Sequence, residues 1–449
     1  MTLRESARAV FDAALRAGDV GPLVQRALAG LTLPSSGRVL PPHGRVLSPH
    51  GRVLPPHGRV LVVGAGKASG AMAAAAEEAL GDRITDGVVA VKDGHLAPTR
   101  RVRLLESGHP VPDARGAAAA RAIHDLARTA RPDDLLLVLI SGGGSALTPA
   151  PAAPVTLEEK QALTRLLLRA GATINQLNAV RKHCSILKGG QLARAAGGAR
   201  VHALLLSDVI GDPLDVIASG PTAPDESTYA DALGILERFG IARQVAPSIR
   251  RRLEEGRRGA IPETPKPGDP LFARVTNTVI GNNELIVTAA IERARALGFT
   301  PHLLTRTLEG EAREVGARFV QMARDIRAGT GPLRPPCCLV AGGETTVTVT
   351  GQGSGGRCQE LALAAAIEMA GMPGVVVLAA GTDGSDGPTT AAGALADGES
   401  AARARALGVD LAARLADNDA NPALAALGDL IVIGPSNTNL LDLYLVLVG

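Results

Sequence analysis

An apolar run of strand length, 135–140, ends abruptly at Ser141, Gly142, Gly143, Gly144 and Ser145. It has no polar residue to face water, so it reads as a strand buried on both faces. In a globular chain that means a parallel sheet covered by helices. The surrounding sequence agrees. A strand at 59–63 runs into a glycine-rich turn and a helix over 68–80. A strand at 87–91 is followed by a helix over 115–130. The apolar strand is followed by a helix over 157–170, opened by Thr156 with Glu159 three residues on, a capping box. A strand at 201–206 ends in Ser207-Asp208, and a helix follows over 230–239. Strands alternating with helices in this way predict a doubly wound, mostly parallel sheet.

The rest of the chain divides around that sheet. Residues 2–31 have the apolar spacing of an amphipathic helix. Residues 37–57 are three tandem seven-residue units, GRVLPPH, GRVLSPH and GRVLPPH, after which GRVL restarts into the first strand. The prolines forbid a helix, and the unit reads as an expanded lead-in to the strand. Residues 254–273 are rich in Pro, Gly and charge, as a linker would be. A second alternating stretch follows, with antiparallel pairing expected around the β-branched run 345–350. The expected organisation is α/β throughout: an N-terminal Rossmann-like domain over 1–253, a linker over 254–273, and a C-terminal α/β domain with a mixed sheet over 274–449.

Composition excludes several classes. The chain has 449 residues, 46% apolar and 20% charged, with a net charge of +3, which rules out global disorder. No apolar run reaches membrane-spanning length, and the first residues lack the apolar core of a secretory signal. The cysteines, Cys184, Cys337, Cys338 and Cys358, have no metal or redox spacing and suit a reducing cytoplasm. With two Tyr, five Phe and no Trp there is no stacking platform for nucleic acid.

Chemistry concentrates at strand ends. Gly64 and Gly66 precede Lys67 where the first strand turns into a helix, an arrangement that offers backbone amides and a cation to an anion. Its G-x-G-x-x-x-G spacing is not the dinucleotide fingerprint. The turn Ser141–Gly144 with Ser145 reads as an anion nest. Asp208 after its strand suits Mg²⁺ or a hydroxyl proton. Four glycines, including Gly355 and Gly356, precede Arg357 at a helix start, where Arg forks onto phosphate oxygens. Asp383 and Asp386 have the spacing of a cation loop. Only six of the 47 basic residues are lysine, which draws attention to Lys67, Lys182 and Lys188, all in polar or glycine-rich settings. Two cradles, cations on turns and acids at strand ends are the parts of phosphoryl transfer.

The ordered motifs VVGAGKAS, GHPVPD, ISGGGSAL, NAVRKHCSILKGGQLA, LLLSDVIGDPLDVIASGPT, GGETTVTVTGQGSGGRCQELALA, AAGTDGSDGPT and GPSNTNLLDL closely resemble those of the type II glycerate kinases, the MOFRL family, over nearly the whole chain. The resemblance implies a cytoplasmic two-domain kinase that phosphorylates D-glycerate from ATP with Mg²⁺ or another divalent cation, giving 2-phosphoglycerate in a cleft between the domains. It places the catalytic lysine on Lys67 and the arginine on Arg357. It adds Ser141–Ser145, Arg181, Lys182, Asp208, Glu344 and Asp383 as binding, metal or catalytic positions, and leaves a homodimer open. The family's usual Asn is Cys358 here, and its GPTGTN is GPSNTN. Two other classes stay open: an NAD(P)H-dependent hydroxypyruvate reductase, with Asp93 placed as a ribose-binding acid, and a non-catalytic sugar-phosphate-binding module.

Overall fold

The computed structural model describes residues 1–31 and 58–449; the heptapeptide repeat at 37–57 lies outside the described residues. The chain forms two compact units. One is Val20–Ile280, here the N-terminal unit; the other joins Met1–Asp19 to Gly281–Gly449 and is here the C-terminal unit. This division differs from the expected one. The residues expected to be linker include the end of a helix, Pro247–Arg257, and a 3₁₀ turn, Pro270–Arg274.

The N-terminal unit carries a six-stranded sheet of β1 (Val60–Ala65), β2 (Ile84–Lys92), β3 (Val102–Ser107), β4 (Leu135–Ile140), β5 (Arg200–Leu206) and β6 (Val275–Gly281), in the order β3-β2-β1-β4-β5-β6. Every pairing from β3 through β5 is parallel. β1 and β4 are buried along their whole length, as the continuous apolar run at β4 requires. One face buries Val63, Val138, Leu205 and Ile123 in a single cluster. The capping box at Thr156 and Glu159 is present on the helix Leu157–Arg169. β3 was not anticipated: its middle residues are only partly buried, so its apolar signal is weak.

In the C-terminal unit the sheet consists of β7 (Thr300–Leu308), β8 (Cys337–Gly343), β9 (Val375–Gly381), β10 (Gly393–Asp397), β11 (Leu430–Ile431) and β12 (Asp442–Val448), in the order β11-β10-β9-β12-β8-β7. It is mixed, as expected. The antiparallel pairs, however, come from β12 running between β8 and β9, and from β10. Residues 345–350 form no strand, only an isolated bridge at Thr346. Side chains take the place of a neighbouring strand there. Glu311 accepts from the Thr348 amide, and Asn418 Oδ1 accepts from the amides of Thr350 and Gly351.

The expected helix over 2–31 is two helices, Leu3–Ala17 and Val20–Ala29, broken at Gly18 and Asp19. The first packs on the helix Asn283–Ala296, and its Arg4 donates to Asp397 and Asp429. These contacts are why the first nineteen residues belong with the C-terminal unit.

Candidate active site

In the N-terminal unit the strand order leaves β1 toward β2 on one side and toward β4 on the other. Open α/β sheets bind ligands outside the carboxyl ends of the strands at such a reversal. Lys67 and the Ser141–Ser145 turn both follow strands that flank it. The glycines of the first turn serve contact between β1 and β4. A Cβ on Gly64 would fall 2.2 Å from the Leu139 carbonyl oxygen, and one on Gly66, at φ +153°, 2.0 Å from Ser141 Oγ. The amides of Gly66, Lys67, Ala68 and Ser69 donate to Ala90 O, Gly142 O, Ser141 Oγ and Gly66 O, at 2.9–3.2 Å. The expectation that this turn presents free amides to an anion is therefore corrected: they are spent within the fold. What the turn does present is the half-buried Lys67 side chain.

The second turn is different. Ser141 is buried and acts as a lock, accepting from the Ala68 amide and sharing a hydrogen bond with Ser69 Oγ at 3.1 Å. Gly144 packs on Ala65, whose carbonyl oxygen lies 2.7 Å from where its Cβ would be. The amides of Gly142 and Gly143, by contrast, find no acceptor among the described residues. Gly143 adopts the left-handed conformation, φ +82°, and a Cβ there would lie 3.0 Å from the His109 ring and 3.4 Å from Lys67 Cγ. Free amides, an imidazole and an ammonium stem thus converge on one glycine.

Ser145 gathers charge. Its Oγ accepts from Arg181 Nη2 and Lys188 Nζ, each at 2.8 Å, and shares a hydrogen bond with Ser219 Oγ at 3.0 Å. Its carbonyl accepts from Lys188 Nζ at 2.9 Å. Lys160 donates to the carbonyls of Pro149 and Cys184 at 2.6 and 3.0 Å. Among the described residues none of these three cations has a carboxylate within ion-pair distance. Burial pushes the Arg181 guanidinium down to about 10, and burial, with the neighbouring charge of Arg181, pushes Lys160 down to about 7. Lys188 is depressed well below its usual value, first by burial and then by Arg181 and Lys160. Lys188 was noted for its rarity but not placed among the expected site residues. Lys182, which was, points elsewhere: its ammonium lies 3.3 Å from Asp225 and 3.2 Å from Asp215. Successive helical residues face about 100° apart, so Arg181 and Lys182 cannot both address Ser145.

Asp208 follows the carboxyl end of β5 and is partly exposed. Among the described residues no three His, Cys, Asp or Glu side chains gather into a metal cage. Mg²⁺ needs none, because it keeps several waters and is held by one or two carboxylates plus substrate phosphates. The partly exposed carboxylates of Asp208 and Asp383, each in a loop after a strand, fit that chemistry.

In the C-terminal unit the second glycine-rich segment is occupied by the protein itself. The amides of Gly351, Gln352, Gly353 and Ser354 donate to Asn418 Oδ1, Asp417 Oδ1, Asp417 O and Asp419 Oδ1, each at 2.9 Å. Only the amides of Gly355 and Gly356 lack an acceptor among the described residues. Arg357 opens the helix Arg357–Glu368. Its Nε and Nη2 donate to the two oxygens of buried Asp442 at 2.5 and 2.8 Å, and its Nη1 lies 3.0 Å from Glu344 Oε1. Burial opposes the guanidinium charge, but Asp442 outweighs it and holds the group protonated, with Glu344 assisting. Tyr444 Oη donates to Asp442 at 2.9 Å. Asp442 was not anticipated, although it lies in the last recognised motif.

Asp386, spaced from Asp383 like a residue of a cation loop, serves the helix start instead. It accepts from the amides of Cys358 and Gln359 at the start of the Arg357 helix, and burial raises its carboxyl to about 6. Asp383 folds back on the Ser385 amide at 3.0 Å. Cys358 is a buried core thiol.

The fold and its sites define a two-unit α/β protein with free backbone amides and a lysine at a sheet reversal in one unit and a buttressed arginine in the other. Two family profiles match it: a domain of unknown function, DUF4147, over residues 6–254, and the MOFRL family over 337–442. A D-glycerate 2-kinase of Thermotoga maritima is 44% identical over 389 residues, 86% of this chain and 90% of that one. A relative from Agrobacterium vitis, provisionally named a hydroxypyruvate reductase, is 42% identical over 87% of each. The crystal structure of a glycerate kinase from Thermotoga maritima superposes with a TM-score of 0.87 at 40% identity, covering 100% of this chain and 99% of that one. The chain belongs to the type II glycerate kinase, or MOFRL, family.

Proposed function

We propose that the protein transfers the γ-phosphoryl group of ATP to the C2 hydroxyl of D-glycerate, giving ADP and 2-phosphoglycerate. The observation that carries this reading is the convergence of Lys67, the free Gly142 and Gly143 amides and the Arg181–Ser145–Lys188 cluster at the sheet reversal. The hydroxyl oxygen bonds to the γ-phosphorus, the bond to the β–γ bridging oxygen breaks, and the hydroxyl proton passes to a carboxylate. Asp208 and Asp383 are the carboxylates assigned to that proton or to Mg²⁺. When bound, Mg²⁺ neutralises charge on the phosphates. Lys67 and Arg357 each supply positive charge to the transferring group. Asp442 takes two of the five guanidinium N–H donors of Arg357 and Glu344 pairs with its Nη1, which fixes its plane. The four cysteines are free buried thiols, suited to a reducing cytoplasm.

Two observations weigh against a nicotinamide-dependent reductase. Asp93, the acid a ribose would need, is already gripped by both terminal nitrogens of Arg115 at 2.7 and 2.8 Å. The amides of the first glycine turn, which a dinucleotide pyrophosphate would use, are spent. The deciding assay supplies the purified protein with D-glycerate and Mg–ATP, and separately with hydroxypyruvate and NAD(P)H. ADP release in the first and no cofactor oxidation in the second is expected; the reverse result removes the kinase reading.

A further inference from the structure

A cleft of about 420 Å³ opens within the N-terminal unit beside the Ser141–Ser145 turn. Its polar end is Gly143, Ser145 and Arg181, and Lys160 also lines it. Its other wall is mostly apolar, with Val111, Pro112, Leu157 and Leu168 beside Gln161, Thr164 and Arg165. Val111 and Leu168 are 65% and 61% exposed, so two large aliphatic side chains face solvent at a concave surface. Concave, mostly apolar sites of roughly 300–1,000 Å³ with a few converging polar groups are the usual form of a small-molecule pocket.

The charge at the polar end is uncompensated. Arg181, Lys188 and Lys160 satisfy their N–H groups on a hydroxyl and on backbone carbonyls, with no carboxylate among the described residues to balance them. Buried cations without counter-charge are costly, and a polyanion would offset that cost. D-glycerate brings a single carboxylate and no apolar group, so it leaves the wall unused. A nucleotide uses both ends.

We propose that this cleft is the nucleotide site, with the base and ribose of a nucleoside triphosphate against Val111, Leu157 and Leu168 and its phosphates directed to the Gly143 amide and Arg181. The assignment rests on the kinase reading above and adds to it which substrate this cleft takes. Lys188 lies buried behind this lining and acts on it indirectly, holding the Ser145 hydroxyl that also receives Arg181.

The test uses the full chain and N-methylanthraniloyl-ADP, with binding followed by fluorescence anisotropy. Leu168→Glu and Val111→Glu place a carboxylate on exposed positions of the apolar wall, where folding is undisturbed. Each is expected to weaken this probe by at least about tenfold, because a charge replaces apolar contact and repels the phosphates. The KM for D-glycerate is expected to stay within about twofold of the parent, because D-glycerate has no apolar group to use the wall. Inorganic tripolyphosphate, which has no base, should compete about equally against the parent and both wall variants, whereas Lys188→Met weakens both probes. Unchanged nucleotide affinity in both wall variants, or a rise confined to the D-glycerate KM, overturns the assignment while ADP release by the parent leaves the kinase reading standing. A parent that neither binds the probe nor releases ADP overturns both.

Discussion

Replacing Lys160 by Met should change how stability depends on pH. The Lys160 ammonium is buried, with a pKa near 7 produced first by loss of water and then by the charges of Arg181 and Arg252. In the unfolded chain a lysine titrates near 10.4. Between those values the unfolded state holds the proton and the folded state does not, so stability rises with pH across the window. The slope from this one group is up to about 1.4 kcal/mol per pH unit, or about 4 kcal/mol from pH 7 to pH 10. Below pH 7 both states are protonated and the folded protein carries the full penalty. The methionine variant lacks that titration. It also leaves the Pro149 carbonyl without its donor, at about 1–3 kcal/mol independent of pH, whereas the Cys184 carbonyl keeps the Ala152 amide.

At pH 10 the parent should therefore be the more stable protein. By pH 7 its advantage should shrink by about 4 kcal/mol and can reverse. Urea unfolding followed by far-UV circular dichroism, with both proteins measured at each unit from pH 6 to pH 10, gives the difference directly. Lys188 titrates in both, and is less depressed in the variant because the Lys160 charge is one of its causes. A parent-minus-variant difference that moves by less than about 1 kcal/mol over that range would show that Lys160 is not buried as a strained cation, and the cleft would lose one of the cations that line it.

Three further outcomes follow. Lys67→Ala should lower turnover by roughly a hundredfold or more, the scale of losing one transition-state charge partner, and Lys67→Arg should restore little because a planar fork cannot replace a compact ammonium; near-parental turnover in Lys67→Ala removes it from the chemistry. Asp442→Asn should cost about 3–5 kcal/mol, since it breaks a buried pair and leaves Arg357 underpartnered. Turnover should fall with it, and a melting temperature and turnover like the parent's would show the pair to be dispensable. Deleting 37–57, which joins Ser36 to Gly58 and keeps the GRVL lead-in to β1, should preserve turnover and shift the melting temperature by less than about 5 °C, read by calorimetry.

Much of the N-terminal sheet was legible because its signals are local. Apolar strands stopping at glycine, as at Ile140, announce both a parallel sheet and the place where a ligand sits. Arg357 at a helix start was legible for the same reason. What the glycines do was not. Those of 64–66 and 351–353 read as phosphate cradles, yet they admit the backbones of Leu139, Ser141, Asp417 and Asp419, partners far away in the chain. Residue pairs that meet only through the fold were hidden for the same reason. Lys188 reaches Ser145 across 43 positions and Asp442 reaches Arg357 across 85. Lysine scarcity pointed at Lys188 without saying what it touched, and proximity in sequence promoted Lys182, whose helix turns it toward Asp225. The β-branched alternation at 345–350 is a true strand pattern, but side chains from Glu311 and Asn418 took the backbone donors first.

Phosphorus NMR of the product formed from D-glycerate and Mg–ATP tests the central claim most directly. A phosphate ester is split by the protons on its carbon. Transfer to C2, which bears one proton, gives a doublet, and transfer to C3, which bears two, gives a triplet. A doublet appearing together with ADP is the expected result. A triplet would place the hydroxyl at C3 in the transfer, and no new ester with ADP unformed would contradict the kinase assignment itself.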